Sequence, residues 1–220
     1  EKPPPGTPVY CAIDFSKSFD ITSMAYGYWL NGKVNVRWHH WVVKDQHVKS
    51  VKRDYQRFVD NWDHHDNVTI CPHTIQYDSV KAKLEELKGW GDLRRIGFDA
   101  FGGMATEIQQ WGNLEDSYNP DTDLPMWPLP QTIMSMGPST YLLESLIRHK
   151  SIAMEQDDIV EYALANVQLE KNINGDRRPS KLRSMGIIDP VVACVMLCGV
   201  LIKEGAERPG AYFDAGDIAC

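Results

Sequence analysis

The sequence has no apolar run near the ~20 residues that a helix needs to cross a bilayer. The amino terminus also lacks the basic segment followed by an apolar one that marks a secretory signal peptide. These absences argue against an integral membrane protein and a secreted one. We therefore expect a cytosolic protein that has no membrane partner.

Cysteine is scarce, with five residues among 220 and no Cys-x-x-Cys pair. An odd, scattered set does not describe a disulfide framework, so we expect reduced thiols. Cys194 and Cys198 lie one helical turn apart and could be considered metal ligands. Apolar residues surround both, however, which favours buried thiols.

The chain also lacks a basic excess and a phosphate-binding loop. Lysine and arginine total 23 against 30 acidic residues, a net charge of −7, so nucleic acid could be held only through a local basic patch. No Gly-x-x-x-x-Gly-Lys-Ser/Thr motif occurs, and we expect no ATP hydrolysis. The seven histidines show no convincing zinc spacing and are interpreted as structural.

The residues that are present predict one α/β domain. A 43% hydrophobic content in 220 residues is enough for one sizeable core. Alternating patterns predict three antiparallel strands over 9–14, 21–30 and 34–43, with a type I′ turn at Asn31-Gly32. Helices then alternate with strands, which predicts a mixed central sheet with helices on both faces. The predicted helices are 44–62, 77–87, 104–111, one starting at Gly137-Pro138-Ser139, and 190–202; the predicted strands are 68–71, 95–99 and 126–129.

The two ends of the chain differ from this pattern. Residues 1–8 contain four prolines and resemble an extended connector, so we interpret them as the remainder of an interdomain linker. The globular domain is predicted to span 9–205. Residues 206–220, rich in Gly, Ala and Asp, are expected to form a flexible tail.

Three acids stand where strands or helices end or begin. Asp14 and Asp99 each end an apolar strand, and Asp189 precedes the last apolar helix. If the two strands are neighbours, the three carboxylates meet at one edge and can bind divalent cations, which prefer oxygen ligands. Two such cations ~3.5–4 Å apart can hydrolyse phosphodiesters. Each acid also has a simpler interpretation: Asp189-Pro190 is typical of a helix N-cap, and the other two could merely mark strand ends.

A basic stretch precedes Asp189, and Asn174-Gly175-Asp176 interrupts it as a hairpin would. Such a loop can contact backbone phosphates without reading sequence. The alternative is a solvated loop with surface charges. The basic residues are Lys171, Arg177, Arg178, Lys181 and Arg183.

Taken in order, several segments resemble the nuclease domain of bacteriophage terminase large subunits. The first is Ile13-Asp14-Phe15-Ser16, followed shortly by Asp20, with Phe15 in place of the commoner leucine. The second is Gly97-Phe98-Asp99. The third runs from Lys181 to Asp189 and is preceded by Asn166. Gln131 also fits the family pattern, and the likeness extends over residues 9–202.

This resemblance implies a ribonuclease H-like fold, two Mg²⁺ or Mn²⁺ ions, and endonucleolytic cutting of concatemeric phage DNA. It assigns metal binding to three acids, a catalytic role to these acids and one lysine, and an additional place in the metal shell to two further side chains. These residues are Asp14, Asp99 and Asp189, with Lys181, and then Asp20 and Asn166.

Family membership would also imply a biological setting. Full-length members carry an ATPase domain ahead of the nuclease and work with double-stranded DNA, a portal and a small terminase subunit. The expected location is the host cytoplasm during infection, and transiently the procapsid portal. Two alternatives stay open: another ribonuclease H-like enzyme of the resolvase or transposase type, and a non-catalytic docking scaffold of the packaging motor.

Overall fold

The computed structural model describes residues 2–16, 21–44, 62, 64–99, 107–108, 110–115 and 118–205. Within these ranges the chain forms a seven-stranded sheet, a separate two-stranded hairpin and four helices. The sheet strands are β1 (Pro8–Asp14), β2 (Thr22–Leu30), β3 (Lys33–Val43), β4 (Val68–Cys71), β5 (Asp92–Phe98), β6 (Met126–Pro128) and β7 (Ile152–Met154). The hairpin strands are β8 (Leu169–Lys171) and β9 (Arg177–Pro179), and the helices are α1 (Tyr77–Lys88), α2 (Ile133–Arg148), α3 (Asp158–Asn166) and α4 (Asp189–Lys203).

The sheet is mixed, in the order β4-β3-β2-β1-β5-β6, with β7 paired to β3. Strands β1, β2 and β3 form the predicted antiparallel meander. The other strands pair parallel to their neighbours. Asn31 and Gly32 have φ angles of 53° and 75°, as a type I′ turn requires at both central positions.

Alternation along the strands buries both faces of the sheet. Ile13 and Met24 pack in the cluster that contains the apolar face of α1, whereas Ala12 and Trp38 pack with α2 and α4. Helices therefore cover both faces, as predicted. Helix α4 approaches the sheet closely at Gly97, where an added Cβ would lie 2.8 Å from Val200 Cγ2.

One predicted helix start is wrong. Helix α2 begins at Ile133, four residues before Gly137. The Thr132 hydroxyl accepts a hydrogen bond from the Ser135 backbone N–H at 3.2 Å and caps the helix. Pro138 therefore lies inside the helix, where it has no N–H to donate to the carbonyl of Met134. The predicted helix 44–62 falls almost entirely outside the described residues, and so does half of the predicted helix 104–111.

The segment before β1 packs against the domain. Pro3 is buried, the Lys2 ammonium lies 5.7 Å from the Trp90 ring centroid, and the Thr7 carbonyl accepts from the Asp92 N–H at 3.0 Å. Pro8 already pairs with Asp92 as the first residue of β1, a strand position that tolerates proline. The predicted tail, 206–220, lies outside the described residues. In the described part of the chain, no helix has the length and apolar character to cross a membrane.

His39 is a buried histidine on the α1 face of the sheet. Its ring lies 4.6 Å from that of Trp41, and its Nε2 is 2.8 Å from the Thr69 hydroxyl. Burial lowers the pKa of His39 to about 3, with smaller electrostatic contributions from Lys83 and His40. The folded chain therefore holds this ring neutral.

We predict that His39→Gln reduces the loss of stability in mild acid. The unfolded state takes up a proton near pH 6.5 and the folded state only near about 3. The contribution of this neutral ring is therefore present above pH 6.5 and is lost as the pH falls. Urea unfolding at pH 7 and pH 5 should show a smaller decrease for the variant than for the wild type. The exposed His149→Gln serves as control, and equal decreases in all three proteins would contradict the prediction.

Candidate metal centre

Asp14 and Asp99 lie at the same edge of the sheet. Strands β1 and β5 are parallel neighbours, and Ile13 is in register with Phe98. The next residues along the two strands are Asp14 and Asp99, so their backbones come together where both strands end. Asp14 is 2% exposed, and Asp99 is partly buried.

Asp189 reaches the same edge from the start of α4. It is completely buried, and its Oδ1 accepts a hydrogen bond from the Lys181 ammonium at 2.7 Å. The same ammonium lies 2.9 Å from Asp14 Oδ2. One cation thus joins two carboxylates that are far apart in sequence. Asp189 is the first residue of the helix and Ile188 is the N-cap, so the capping interpretation of Asp189 is wrong.

The two carboxylates keep Lys181 charged. Burial opposes the charge of the ammonium, but the attraction of Asp14 and then of Asp189 outweighs it and raises the pKa of Lys181 above its ordinary value. The lysine side chain is 34% exposed. Solvent can therefore still reach part of the residue that neutralises the two acids.

A ring of hydrogen bonds fixes the turn that carries Lys181. The Ser180 N–H donates to the Gln168 carbonyl at 2.9 Å, and the Ser184 N–H donates to the Ser180 carbonyl at 3.0 Å. The Gln168 N–H in turn donates to the Ser184 hydroxyl at 3.0 Å. A long and flexible side chain can therefore start from a defined backbone position.

Gln131 holds the other side of Asp14. Its Nε2 donates to Asp14 Oδ1 at 2.8 Å and lies 3.5 Å from the sulfur of Met196. The backbone carbonyl of Gln131 accepts from the Arg178 guanidinium, which also pairs with Glu170. The partners of Gln131 come from elements distant in sequence, so no local pattern predicts these contacts.

The structure places only one of the two residues assigned to an additional metal shell. Asn166 lies at the end of α3, where its Nδ2 donates to the Tyr162 carbonyl at 2.8 Å. It packs against Gly186, whose added Cβ would lie 2.7 Å from Asn166 Cγ. It therefore contacts the loop before Asp189. Asp20 lies outside the described residues.

The predicted basic hairpin is present as β8 and β9, and two of its arginines have acidic partners. Arg177 contacts Glu144 at 2.8 Å, and Arg178 pairs with Glu170. The first interaction joins the hairpin to α2, and the second joins its two strands. Lys171 and Arg183 are exposed, so their charges face solvent where phosphates could approach.

The donor set suits a hard divalent cation. Asp14 and Asp189 are buried, converge on one positive charge, and offer the carboxylate oxygens that Mg²⁺ prefers. As they stand, no three or more His, Cys, Asp and Glu side chains within the described ranges form a metal-binding group. The Lys181 ammonium lies between the two acids. The residues that would hold a metal are these two, with Asp99 on the neighbouring strand end.

We predict that Lys181→Gln destabilises the chain when a chelator removes divalent cations. The variant leaves two carboxylates close together without their shared cation, and the loss should be roughly 1–3 kcal/mol in the free energy of unfolding. Urea unfolding in chelator measures this loss. Lys171→Gln, which removes an exposed ammonium, is the control. A Lys181→Gln variant as stable as wild type would show that the bridge contributes nothing to the fold.

Comparison with known proteins identifies the family of the chain. The family model of the terminase large subunit endonuclease domain matches residues 4–204. The terminase large subunit of Enterobacteria phage HK97 is 25% identical over 207 residues, which are 93% of this chain and 40% of that protein. The chain thus spans about 40% of the length of that relative.

Solved structures of large terminases share the fold. The HK97 large terminase matches with a TM-score of 0.74 and 22% identity, over 90% of this chain and 40% of that one. The large terminase nuclease of thermophilic phage G20c gives 0.58 and 15%, over 90% and 84%. A magnesium-bound structure of the G20c nuclease gives 0.52 and 14%, with the same coverage. The fold is therefore ribonuclease H-like, as expected, and the chain belongs to the family of terminase large subunit endonuclease domains.

Proposed function

We propose that this domain is a metal-dependent endodeoxyribonuclease that cuts concatemeric double-stranded phage DNA during genome packaging, with little sequence specificity. The observation that carries the proposal is the convergence of the buried Asp14 and Asp189 on one cation. The family to which the chain belongs supports the same activity.

Phosphodiester hydrolysis requires an activated water and a stabilised leaving oxygen. Two divalent cations, when bound, supply both. We assign Asp14, Asp99 and Asp189 to hold them, with Asp20 and Asn166 as additional contributors. Mg²⁺ is the first cation to test, because the G20c nuclease has been solved with bound magnesium; Mn²⁺ is the second.

Gln131 orients Asp14 in this mechanism. Its amide holds Asp14 Oδ1 at 2.8 Å and leaves Oδ2 directed toward Lys181. Arg178 fixes the backbone of Gln131. Partners behind a ligand of this kind set its orientation and its affinity for metal.

Lys181 has two tasks in the proposal. Without metal, its ammonium offsets the negative charges of Asp14 and Asp189. With DNA bound, we assign the same ammonium to the scissile phosphate. Its raised pKa means that it carries a proton at Nζ at neutral pH.

The whole protein and its setting are part of the proposal. The chain covers 40% of the HK97 relative, and we assign the rest to an ATPase domain of the same chain. The proposed partners are double-stranded DNA, the portal and the small terminase subunit. The proposed location is the host cytoplasm during infection, and transiently the procapsid portal.

We predict that Asp14→Asn and Asp99→Asn each lower cleavage by more than about 100-fold, because each removes a charged metal ligand. The assay is nicking of supercoiled plasmid with Mg²⁺, Mn²⁺ or chelator. Asp92→Asn is the matched control for Asp99→Asn. Asp92 is the first residue of β5, at the end of the strand away from Asp99, where it contacts Arg94 at 2.5 Å. Cleavage retained in Asp99→Asn would remove that residue from the mechanism. A preference for branched DNA would favour the resolvase alternative, and a chain that binds no metal would favour the docking scaffold.

A second prediction concerns DNA binding by the hairpin and the turn beyond it. Lys171 and Arg183 are exposed, so replacing both by Gln should reduce the slope of log affinity against log salt by about 1.8, or ~0.9 for each phosphate contact. Replacing Arg177 and Arg178 should reduce the slope less, because Glu144 and Glu170 already pair with them. Filter binding over a salt series measures all four residues. Unchanged slopes in both double variants would indicate a solvated loop that does not contact DNA.

A further inference from the structure

A row of polar residues crosses the sheet beside the candidate metal centre. The register pairs Asp14 with Ser23 across β1 and β2, and Ser23 with His40 across β2 and β3. Residues directly opposite each other in antiparallel strands have side chains on the same face. The three side chains therefore stand side by side on the face that α4 covers.

These residues continue into a buried hydrogen-bonded chain. Ser23 Oγ lies 3.0 Å from His40 Nδ1, and His40 Nε2 lies 3.1 Å from Asp157 Oδ2. Asn67 donates to the same carboxylate oxygen at 2.6 Å. Ser23 and His40 are 0% exposed and Asp157 is 5% exposed, so solvent does not compete for these contacts.

Asp157 keeps its negative charge at the far end of this row. Burial raises the pKa of Asp157, but the hydrogen bond and the electrostatic attraction of His40, with hydrogen bonds from the Val160 N–H and Asn67, outweigh it, and the net shift is downward. The His40 ring is held at both nitrogens, by Asp157 at Nε2 and by the Ser23 hydroxyl at Nδ1. The ring in turn fixes the side chain of Ser23, which stands opposite Asp14 in the sheet.

The other end of the chain leads to Asp189. Asp157 Oδ1 accepts from the N–H groups of Ile159 and Val160 at 2.8 and 3.1 Å and caps α3. Helix α3 in turn packs closely against Gly186, three residues before Asp189. A Cβ added to Gly186 would lie 2.8 Å from the hydroxyl of Tyr162, a residue of α3. The helix that Asp157 holds therefore supports the loop that carries Asp189.

We propose that Ser23, His40 and Asp157 form a positioning chain for the nuclease centre. The chain fixes the Ser23 oxygen beside Asp14 and holds α3 behind the Asp189 loop, so it sets how the two carboxylates face each other. Burial excludes direct contact of Ser23 or His40 with DNA, so neither acts as a nucleophile. The inference rests on the proposed function, because it assigns these residues to the same centre.

Four substitutions separate the contacts of this chain. Ser23→Ala removes one hydroxyl. His40→Asn keeps a polar atom near Nδ1, and His40→Gln keeps one near Nε2. Asp157→Asn retains an oxygen that can cap α3 but loses the charge that faces His40. His39→Gln is the matched control, since its side chain points to the opposite face of the sheet.

The experiment measures three quantities on each purified chain: the Mn²⁺ dissociation constant by calorimetry, kcat and KM for plasmid nicking, and the urea midpoint in chelator. We expect Ser23→Ala and His40→Gln to weaken Mn²⁺ binding and lower kcat by about 10–100-fold, as loss of partners behind a ligand does elsewhere. The KM for DNA should stay near the wild-type value, because Ser23 and His40 are buried and do not reach DNA. His39→Gln should leave Mn²⁺ affinity and kcat unchanged.

The outcomes distinguish this inference from the proposed function. If Ser23→Ala and Asp157→Asn keep the Mn²⁺ affinity of the wild type, even with a lower urea midpoint, the positioning chain is only structural. That result would overturn the inference. If the His40 variants do not fold, Ser23→Ala decides, because it removes a single atom. A wild-type protein that binds Mn²⁺ but cuts no DNA would contradict the proposed function alone. The Mn²⁺ affinities of the variants would still test the positioning chain. A wild-type chain that binds no Mn²⁺ would overturn both.

Discussion

The burial of helix α4 is the constraint on which the rest of the domain depends. The helix is buried from Asp189 to Leu201, and Gly97 lets it lie directly on β5. Its first residue is a carboxylate, which is costly to remove from water unless it is paired. The position of the helix therefore requires a cation at its start, and the Lys181 ammonium at 2.7 Å supplies it. The same ammonium contacts Asp14, so the pairing that allows the helix to be buried also brings the two carboxylates together.

The arginines of the hairpin illustrate how a charge can serve the fold instead of a ligand. The sequence predicts Arg177 and Arg178 as phosphate contacts, and that remains a prediction. In the structure Arg177 contacts Glu144 at 2.8 Å, and Arg178 holds the backbone of Gln131. Because Gln131 in turn donates a hydrogen bond to Asp14, the hairpin is connected to this carboxylate through two successive hydrogen bonds.

Local patterns were sufficient to predict most of the fold. The meander, the type I′ turn at Asn31-Gly32 and the buried last helix follow from short-range alternation and turn chemistry. The start of α2 could not be predicted from Gly137-Pro138-Ser139, because the cap at Thr132 outweighed the proline signal. For the candidate site, the strand ends singled out Asp14 and Asp99, and the pairing of β1 with β5 that brings them together comes from the structure. The partner of Asp14 at Gln131, 117 residues away, depends on tertiary packing that no local pattern encodes.

The adjacent residues His39 and His40 also show that a local pattern predicts orientation but not tertiary partners. Strand geometry predicts that they point to opposite faces, but it does not predict what each face offers. His39 meets Thr69 and Trp41, whereas His40 meets Ser23 and Asp157. The second contact depends on the register of three strands and on a helix 117 residues further along the chain.

The bridge also determines how the centre must respond to a divalent cation. Lys181 already neutralises part of the charge of Asp14 and Asp189, so the domain can fold before any metal binds, unlike small domains that are unfolded without it. In the proposed function, a divalent cation held by Asp14 and Asp189 would have to compete with this ammonium. The affinity of the centre for metal would then be a difference between two attractions, and the hydrogen bond from Gln131 to Asp14 Oδ1 would keep that carboxylate in place whichever cation it faces.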